Sequence, residues 1–473
     1  MPKYYRIKDR YILRGWEKLP YGIVDTETRY TGFVDSRYFR ALSLCSGNAD
    51  VSLPLVSDSD RAIIHELEEK NIVEPCKPGQ GLKENQKYKK FPVRYIRNVH
   101  WSVTGKCNCK CRHCYIHAPE GIHGELPHDV IMSFIPQFEE CGIMSAELSG
   151  GEPLVRDDFL EIAASLTEHN VKLTQIYTNG LLVNEKLLNQ LDRMNVRPEF
   201  VMSYDGAGWH DWMRGINGAE EAVNRAFALC RDKGFPTQAE MCVHRQNIHT
   251  LRDSINHLAS LGVASLKVSG VMNTGEWKAN REAEDNSLSF SEILSAYLDY
   301  LPYYYEDAVH MVLTLGGFVA LDFNRPDEFH IPIYQRTNNP DECICGPIRS
   351  SMYIMPEGRV LPCMPMAGTI LNDKMPFIQE KSLAECINDS AWFNIVNLRV
   401  RDYYAANDEC RNCEYRSVCS PGCRAAALED NPDNYMAKSK TLCTLIKGGW
   451  PQKIIALVKK FRPEAKLISG ADA

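Results

Sequence analysis

The stretch Trp101-Ser-Val-Thr-Gly-Lys-Cys-Asn-Cys-Lys-Cys-Arg-His-Cys-Tyr115 follows an apolar strand and carries an unusual density of thiols. Three of them, Cys107, Cys111 and Cys114, have the spacing C-x3-C-x2-C. Three thiolates on one short loop are able to hold three irons of a [4Fe–4S] cluster and to leave the fourth iron without a protein ligand. Zinc sites usually take paired ligands from two knuckles and fill all four positions. The spacing therefore favours an iron–sulfur cluster.

Composition is that of an ordinary globular protein. The chain has 473 residues, enough for two or three domains, with 44% hydrophobic and 24% charged residues. Its net charge of −7 does not suggest a nucleic-acid partner. The N-terminus has no apolar signal core, and no apolar run reaches the length of a membrane span. We therefore expect a cytoplasmic protein without a membrane partner, whose 18 cysteines serve as metal ligands rather than disulfides.

The cysteine loop resembles that of the radical S-adenosylmethionine (SAM) superfamily. The resemblance implies that Cys107, Cys111 and Cys114 are the catalytic metal ligands, and that the open iron chelates the amino and carboxylate groups of SAM. It further implies that reduction cleaves SAM, and that the 5′-deoxyadenosyl radical then takes a hydrogen atom from the substrate. Cys109 stands at a position that the family pattern does not use, and Tyr115 is expected beside the cofactor.

Further motifs of that family follow the later strands. The turn Gly-Gly-Glu-Pro comes after the second strand, and the family uses it to hold the amino group of SAM. The resemblance assigns SAM binding to these residues at the strand ends: Gly150, Gly151, Glu152, Pro153, Thr178, Asn179, Ser203, Asp205 and Arg214. Two of them have plainer explanations, because Asp205 could cap the following turn and Arg214 could form a surface ion pair.

The middle of the chain alternates strand and helix patterns. Predicted strands are Val99–Val103, Met144–Leu148, Leu173–Tyr177, Phe200–Ser203, Gln238–Val243 and Ser265–Val268. Predicted helices are Asp129–Glu140, Asp157–Glu168, Glu185–Met194, Glu220–Lys233, Ile248–Leu261 and Ser289–Tyr300. Such alternation predicts an α/β fold with a parallel sheet, and six units are too few to close an eight-fold barrel. We therefore expect a partial (β/α)6 barrel, as in radical SAM proteins.

The other segments complete the domain organisation. Residues 1–80 contain strands and two short helices, a pattern that resembles a winged-helix peptide-recognition unit; a structural cap on the barrel is the alternative. Residues 81–94 are polar and predict a linker before the barrel at 95–304. We expect a bridging region at 305–342, a cysteine-rich iron–sulfur domain at 343–450, and a tail at 451–473.

The cysteine-rich domain holds a second field of thiols, and its order resembles the SPASM extension, which carries auxiliary [4Fe–4S] clusters. The resemblance implies one closed cluster on Cys410, Cys413, Cys419 and Cys443, and a second on Cys345, Cys363 and Cys423. A zinc ribbon is the alternative. Cys343 could be a fourth ligand of the second cluster, or that cluster could be open to a substrate thiolate. The six remaining cysteines read as structural: Cys45, Cys76, Cys141, Cys230, Cys242 and Cys386.

Together these features predict a radical SAM enzyme with three [4Fe–4S] clusters and SAM. As its substrate we expect a ribosomally made precursor peptide whose leader binds the N-terminal unit, and as its electron donor a protein such as flavodoxin or ferredoxin. The favoured reaction is a thioether link from a cysteine sulfur to carbon, because an open auxiliary cluster would hold a thiolate. A peptide cyclase forming carbon–carbon or carbon–oxygen bonds is the alternative.

Two other hypotheses fit less well. Sulfatase maturases, which make formylglycine, carry an acidic residue where this chain has Met364, and they lack the N-terminal unit. A protein that uses its clusters only for electron transfer would not need the Gly150–Pro153 turn or Ser203. No general base is evident from the sequence.

Overall fold

The computed structural model describes residues 2–118, 121–280, 285–332, 334, 339–419 and 421–468. The N-terminal unit consists of β1 (Tyr4–Ile7), β2 (Tyr11–Gly15), β3 (Gly22–Asp25), β4 (Thr31–Phe33), α1 (Ser36–Leu44), α2 (Asp58–Glu69) and β5 (Val73–Cys76). β2, β3 and β4 form an antiparallel meander, and β1 pairs with β5. Because Asp35 and Ser57 accept hydrogen bonds from the first backbone N–H groups of the two helices, each helix begins where it does.

The segment 81–94, for which the sequence predicts a linker, lies against the neighbouring units. Its strand β6 (Lys89–Lys90) pairs with β2. The buried amide of Gln86 donates to the carbonyls of Ile7 and Lys8 at 3.2 and 2.9 Å. Phe91 and Tyr95 pack on Trp16, with ring centroids 5.6 and 4.7 Å apart. These contacts seat the N-terminal unit on the barrel.

Six parallel strands form the centre of a larger sheet: β7 (Asn98–Ser102), β8 (Ser145–Ser149), β9 (Lys172–Thr178), β10 (Glu199–Ser203), β11 (Thr237–Val243) and β12 (Ser265–Gly270). Their connecting helices are α3 (His128–Met132), α4 (Phe134–Glu140), α5 (Phe159–Glu168), α6 (Glu185–Arg193), α7 (His210–Arg214), α8 (Ala219–Asp232) and α9 (Leu251–Ser260). The predicted α/β class is confirmed. The helix predicted at Asp129–Glu140 is divided into α3 and α4, because Pro136 has no N–H to donate to the Met132 carbonyl.

The sheet extends beyond these six strands to twelve, in the order β17-β16-β7 to β12-β13-β14-β15-β18. After α10 (Gly275–Ala279) and α11 (Phe290–Glu306), the added strands are β13 (Val312–Leu315), β14 (Val319–Leu321), β15 (Glu328–His330), β16 (Ser351–Ile354), β17 (Val360–Leu361) and β18 (Lys466–Ile468). Strands β13 to β15 lie in the expected bridging region. β18 pairs with β15, so the segment expected as a tail contributes a strand to the sheet.

The cysteine-rich part contains β16 and β17, followed by several short helices. They are α12 (Leu383–Ile387), α13 (Ser390–Val396), α14 (Val400–Ala406), α15 (Asp408–Arg411), α16 (Arg424–Asp430) and α17 (Lys440–Lys447), and the chain continues into α18 (Trp450–Phe461). Because β16 pairs in parallel with β7, this part of the chain directly borders the first barrel strand. Within the described residues, no helix combines the length and the apolar character that a bilayer span needs.

The two faces of the central strands differ in polarity, and this difference positions the site. Trp101 of β7 points toward the helices, with its ring centroid 5.2 Å from that of Phe138 in α4. Its neighbours His100 and Ser102 point to the opposite, inner face, because successive side chains of a strand alternate. The loops after the strands, which carry the predicted cofactor motifs, meet at the carboxyl edge of the sheet, where ligands of such folds bind.

Candidate active site and metal centres

The cysteine loop after β7 is held by close backbone contact with the glycine turn after β8. Gly151 N donates to Thr104 O at 2.8 Å, and Glu152 N donates to Lys106 O at 2.9 Å. A Cβ added to Gly151 would lie 2.3 Å from the Lys106 carbonyl oxygen, and one added to Gly150 would lie 2.4 Å from that of Thr104. Both glycines are thus needed for the loop and turn to approach each other. The glycine turn therefore lies directly against the loop that carries the cysteines.

The three predicted cluster ligands, Cys107, Cys111 and Cys114, are half-buried and free of disulfides. Backbone N–H groups point at two of the sulfurs: Cys109 N lies 3.3 Å from Cys107 Sγ, and Ala118 N lies 3.3 Å from Cys114 Sγ. A hydrogen bond from the Cys109 thiol, aided by the nearby Arg214 guanidinium, lowers the pKa of Cys111 to about 6. Accessible sulfurs that already accept hydrogen bonds suit thiolate ligands of an iron–sulfur cluster.

Cys109 has a different environment from the other cysteines of the loop. It is buried, and its thiol hydrogen-bonds to both Cys107 and Cys111. Burial and these contacts raise its pKa far above that of an ordinary thiol. A thiol held protonated is a poor metal ligand, since the thiolate is the form that binds metal. The donor set of the loop therefore fits a cluster with three protein ligands.

Glu152, in the turn after β8, is fully buried and connects that turn to the end of β9. Its carboxylate accepts hydrogen bonds from Thr178 Oγ1 at 2.8 Å, from Asn179 N at 2.7 Å and from Leu154 N at 3.1 Å. Burial raises the pKa of Glu152 to about 7. A carboxylate has about four acceptor sites, so one is left for an ammonium group, whose charge would offset the cost of burial.

Asp205 and Arg214 form a buried ion pair that points at the cysteine loop. The Asp205 carboxylate accepts from Arg214 Nε at 2.7 Å and Nη2 at 2.6 Å, and also from Cys242 N at 3.2 Å. Arg214 Nη1 in turn lies 3.6 Å from Cys111 Sγ. Neither plainer explanation holds: Arg214 is not on the surface, and Asp205 holds the arginine rather than a turn. The pair fixes a positive charge beside Cys111, a predicted cluster ligand.

The remaining residues assigned to SAM binding lie around this arrangement. Pro153 is buried and begins a short 3-10 helix, and half-buried Ser203 is the last residue of β10. The Tyr115 hydroxyl lies 3.5 Å from that of Tyr353, a residue that the sequence analysis did not select. A second unselected residue is Asn108, whose Oδ1 accepts from Asn179 Nδ2 at 2.7 Å. No sequence motif marks Tyr353 or Asn108, although Asn108 lies inside the cysteine loop.

His113 was also not assigned a role. Ligand atoms of His113, Asp205 and Cys242 all lie within 4.8 Å of one another, and His113 Nδ1 is buried without a partner. Burial, together with the charge of Arg214, lowers the pKa of His113 to about 4. The imidazole is therefore neutral at ordinary pH and packs beside the ion pair without adding charge.

The cysteines of the first predicted auxiliary site converge. Cys410, Cys413, Cys419 and Cys443 line one pocket, which Tyr403 and Lys447 also border. The Tyr403 hydroxyl lies 3.3 Å from Cys410 Sγ. Burial and the three neighbouring thiols raise the pKa of Cys419 to about 12. Four convergent thiols at one pocket fit a closed metal site.

The second predicted auxiliary site contains three thiols. Burial and the nearby thiols of Cys423 and Cys345 raise the pKa of Cys363 to about 12. The backbone of Cys343 bridges to that of Arg399. The structure thus groups the thiols of Cys345, Cys363 and Cys423, which fits three protein ligands of one cluster.

Comparison with known families agrees with these sites. The model of the radical SAM superfamily matches residues 101–258. The model of the SPASM iron–sulfur cluster-binding domain matches residues 345–414. The first match begins in β7 and spans the cysteine loop and the turns after β8, β9 and β10. The second begins at one of the predicted ligands, Cys345, and ends just after Cys413.

Individual relatives have similar domains. A PqqA peptide cyclase from Granulibacter bethesdensis is 26% identical over 329 residues, covering 69% of this chain and 82% of that protein. An AdoMet-dependent heme synthase from Nitratidesulfovibrio vulgaris is 26% identical over 364 residues, covering 73% of this chain and 91% of that protein. Streptococcus suis SuiB, solved with its precursor peptide SuiA, has a TM-score of 0.65 at 14% identity and covers 93% of this chain and 99% of that chain. This last likeness shows the fold.

Proposed function

Because the chain carries a radical SAM domain followed by a SPASM iron–sulfur cluster-binding domain, we propose that it modifies a ribosomally made precursor peptide by linking a cysteine sulfur to a carbon. The observation that carries the thioether is the convergence of three thiols, Cys345, Cys363 and Cys423. A cluster on three protein ligands has an open iron for a substrate thiolate.

Each part of the site has a distinct task in this proposal. When bound, the first cluster and SAM supply one-electron cleavage of SAM and abstraction of a hydrogen atom from carbon. Cys107, Cys111 and Cys114 hold that cluster. The buried Glu152 carboxylate, fixed by Thr178 and Asn179, receives the SAM ammonium group. The Asp205–Arg214 pair holds its positive charge beside Cys111, and Ser203, Tyr115 and Pro153 border the cofactor.

The peptide is favoured over a tetrapyrrole by the N-terminal unit. The cyclase and the heme synthase are equally similar in sequence, so identity does not separate them. The structural likeness to SuiB covers 93% of this chain, and that protein was solved with a precursor peptide. In addition, five of the twelve large apolar side chains that are exposed among the described residues belong to residues 1–80. Such concentration of apolar surface is typical of a partner-binding site.

The mass of a cysteine-containing precursor peptide, co-expressed with the enzyme without oxygen, tests the proposed reaction. We expect a loss of two hydrogens per site, and one thiol per site that no longer reacts with an alkylating agent. Two hydrogens lost with all thiols still reactive would indicate the carbon–carbon or carbon–oxygen cyclase instead. An unchanged mass, without deuterium uptake from heavy water, would contradict peptide modification.

Charged substitutions in the N-terminal unit are expected to weaken leader binding. Tyr30 and Leu55 are 65% and 81% exposed, so Tyr30→Asp and Leu55→Asp place a charge on the apolar surface without disturbing a core. We expect the combined variant to bind the leader about tenfold more weakly, since loss of interface apolar side chains costs about 1 kcal/mol or more. Isothermal titration calorimetry measures this, with Phe323→Asp, an exposed residue outside the unit, as the control. Unchanged affinity would mean that the unit is a structural cap.

Substitution of Cys343 tests whether the second auxiliary site has three protein ligands. We expect Cys343→Ala to keep the iron content and the electron paramagnetic resonance signals of wild type, because in this proposal Cys345, Cys363 and Cys423 hold the cluster without it. The matched variant Cys345→Ala should lose about four irons, one cluster's worth. If Cys343→Ala loses the same iron as Cys345→Ala, Cys343 is a ligand and the open site is wrong.

The proposal also includes a cellular compartment and an electron donor. All 18 cysteines are free thiols, which favours a reducing, cytoplasmic setting. Reduction of the first cluster requires an external donor, and we propose a small protein such as flavodoxin or ferredoxin. Cross-linking assays with and without that donor and its reductase test this assignment.

A further inference from the structure

A cavity of about 410 Å³ lies on the inner face of the barrel where β7, flanked by β8, meets β16. His100 and Glu147 line it from the barrel, and Tyr353, Cys363 and Met364 line it from the cysteine-rich part. The cavity therefore places a histidine and a carboxylate next to Cys363, one of the three thiols of the second auxiliary site. Met364, the residue directly after that cysteine, has no atom that accepts a proton.

His100 and Glu147 form a hydrogen-bonded pair across the two strands. His100 Nδ1 lies 3.2 Å from Glu147 Oε2, and Glu147 Oε1 accepts from Asn98 Nδ2 at 2.7 Å. With Glu147 ionised, Nδ1 carries the proton that it donates, and Nε2 is left as the basic nitrogen. The side chains of His100 and Glu147 keep 18% and 22% of their surface exposed, so the pair is open to the cavity.

A chain of hydroxyl groups connects His100 to the first cysteine loop. Ser149 Oγ lies 2.7 Å from His100 Nε2 and 3.1 Å from Ser102 Oγ. Ser102 Oγ lies 2.8 Å from the Tyr353 hydroxyl, which lies 3.5 Å from that of Tyr115. Burial raises the pKa of Tyr353 to about 12, so this phenol stays neutral and can both donate and accept. These hydroxyl groups thus connect Tyr115, the residue after Cys114, with the His100 imidazole.

We propose that His100, positioned by Glu147, accepts the proton that the peptide loses when the cross-link forms. This inference rests on the proposed function. Joining a carbon to a sulfur removes two hydrogens: one leaves the carbon as a hydrogen atom and ends in 5′-deoxyadenosine. The second leaves the thiol as a proton to His100 Nε2. The electron that remains would be taken by an oxidised iron–sulfur cluster, which Cys345, Cys363 and Cys423 would hold. The products would then be the carbon–sulfur bond, 5′-deoxyadenosine, an imidazolium and one electron on that cluster.

The test compares His100→Gln and Glu147→Gln with wild type and with His128→Gln. His128 forms a similar pair with Asp158, 2.9 Å apart, but on the surface and outside the cavity, so it is a matched control. The assay uses a precursor peptide deuterated at the modified carbon and counts both cross-linked peptide and deuterium in 5′-deoxyadenosine. We expect His100→Gln to lower cross-linking about 100-fold, the scale of a lost proton acceptor, while deuterium transfer continues.

The uncoupling of cross-linking from deuterium transfer separates this role from a structural one. A structural defect would lower both quantities, whereas loss of the proton acceptor lowers cross-linking alone. Glu147→Gln removes the charged partner of His100 Nδ1, so we expect it also to lower cross-linking while deuterium transfer continues.

The outcomes distinguish this inference from the proposed function. If wild type cross-links the peptide and His100→Gln does so at a similar rate, the inference is overturned and the proposed function stands. If wild type leaves the peptide mass unchanged, both are overturned. Iron content and thermal midpoint of each variant should equal those of wild type, and a second substitution, His100→Asn, repeats the result with a side chain of similar polarity.

Discussion

Replacing Cys107, Cys111 and Cys114 together with alanine is expected to abolish 5′-deoxyadenosine formation. The three thiols are the accessible donors of the loop after β7, and nothing else within the described part of that loop offers a free thiolate, because Cys109 is buried and held protonated. The variant should retain about eight of about twelve irons, since the auxiliary thiols lie on other segments. Chromatography of 5′-deoxyadenosine after reduction with dithionite, together with iron analysis, measures both effects.

The matched control for this variant is Cys109→Ala, in the same loop. It removes one buried thiol but no proposed ligand, so we expect full iron content and SAM cleavage close to wild type. Residual SAM cleavage in the triple variant would mean that the first cluster is held elsewhere. Loss of all iron from the triple variant would mean that the sites do not assemble independently.

The second large effect is expected from Arg214→Met. Burial opposes ionisation of Asp205, but the Arg214 guanidinium outweighs it and lowers the pKa of that carboxyl group far below its usual value. Removing one member of a buried ion pair leaves an uncompensated charge and costs about 3–5 kcal/mol. We therefore expect a clear drop in the thermal midpoint of the reconstituted protein, and weaker retention of iron because Cys111 loses a donor.

Two further variants show whether the lost stability comes from the buried ion pair. Asp205→Asn combined with Arg214→Met removes both charges and should recover part of the lost stability, because the pair is coupled. Arg225→Met removes an arginine that pairs with Glu221 on the surface of α8, and its midpoint should match wild type. An Arg214→Met protein as stable as wild type would show that the buried pair does not support the cysteine loop.

The fold could be predicted from local pattern where the pattern is strong. The strands β7 to β12 carry apolar residues in a strand pattern between predicted helices, and each lies within two residues of its expected position. The outer strands had no such signal: β16 and β17 have only four and two residues, and they form because the barrel edge offers a partner. Strand β18 depends in the same way on β15.

The contacts of the candidate site likewise include some that the sequence could predict and some that it could not. The contact of Glu152 with Thr178 and Asn179 follows from the topology, since parallel strands bring their carboxyl ends to one edge. The Asp205–Arg214 pair could not be placed, because its partner, Cys111, is about 100 residues away in sequence. His100 and Tyr353 were missed for the same reason: they become neighbours only when β16 joins β7.

The measurement that tests the central claim most directly is deuterium transfer from the precursor peptide to 5′-deoxyadenosine. The reconstituted enzyme would be incubated with SAM, a reductant and a peptide deuterated at the carbon that becomes cross-linked. The account predicts deuterated 5′-deoxyadenosine, in amounts equal to the cross-linked peptide, and a peptide that has lost two hydrogens per site, counting deuterium as one. Unlabelled 5′-deoxyadenosine alone, with the peptide unchanged in mass, would contradict it.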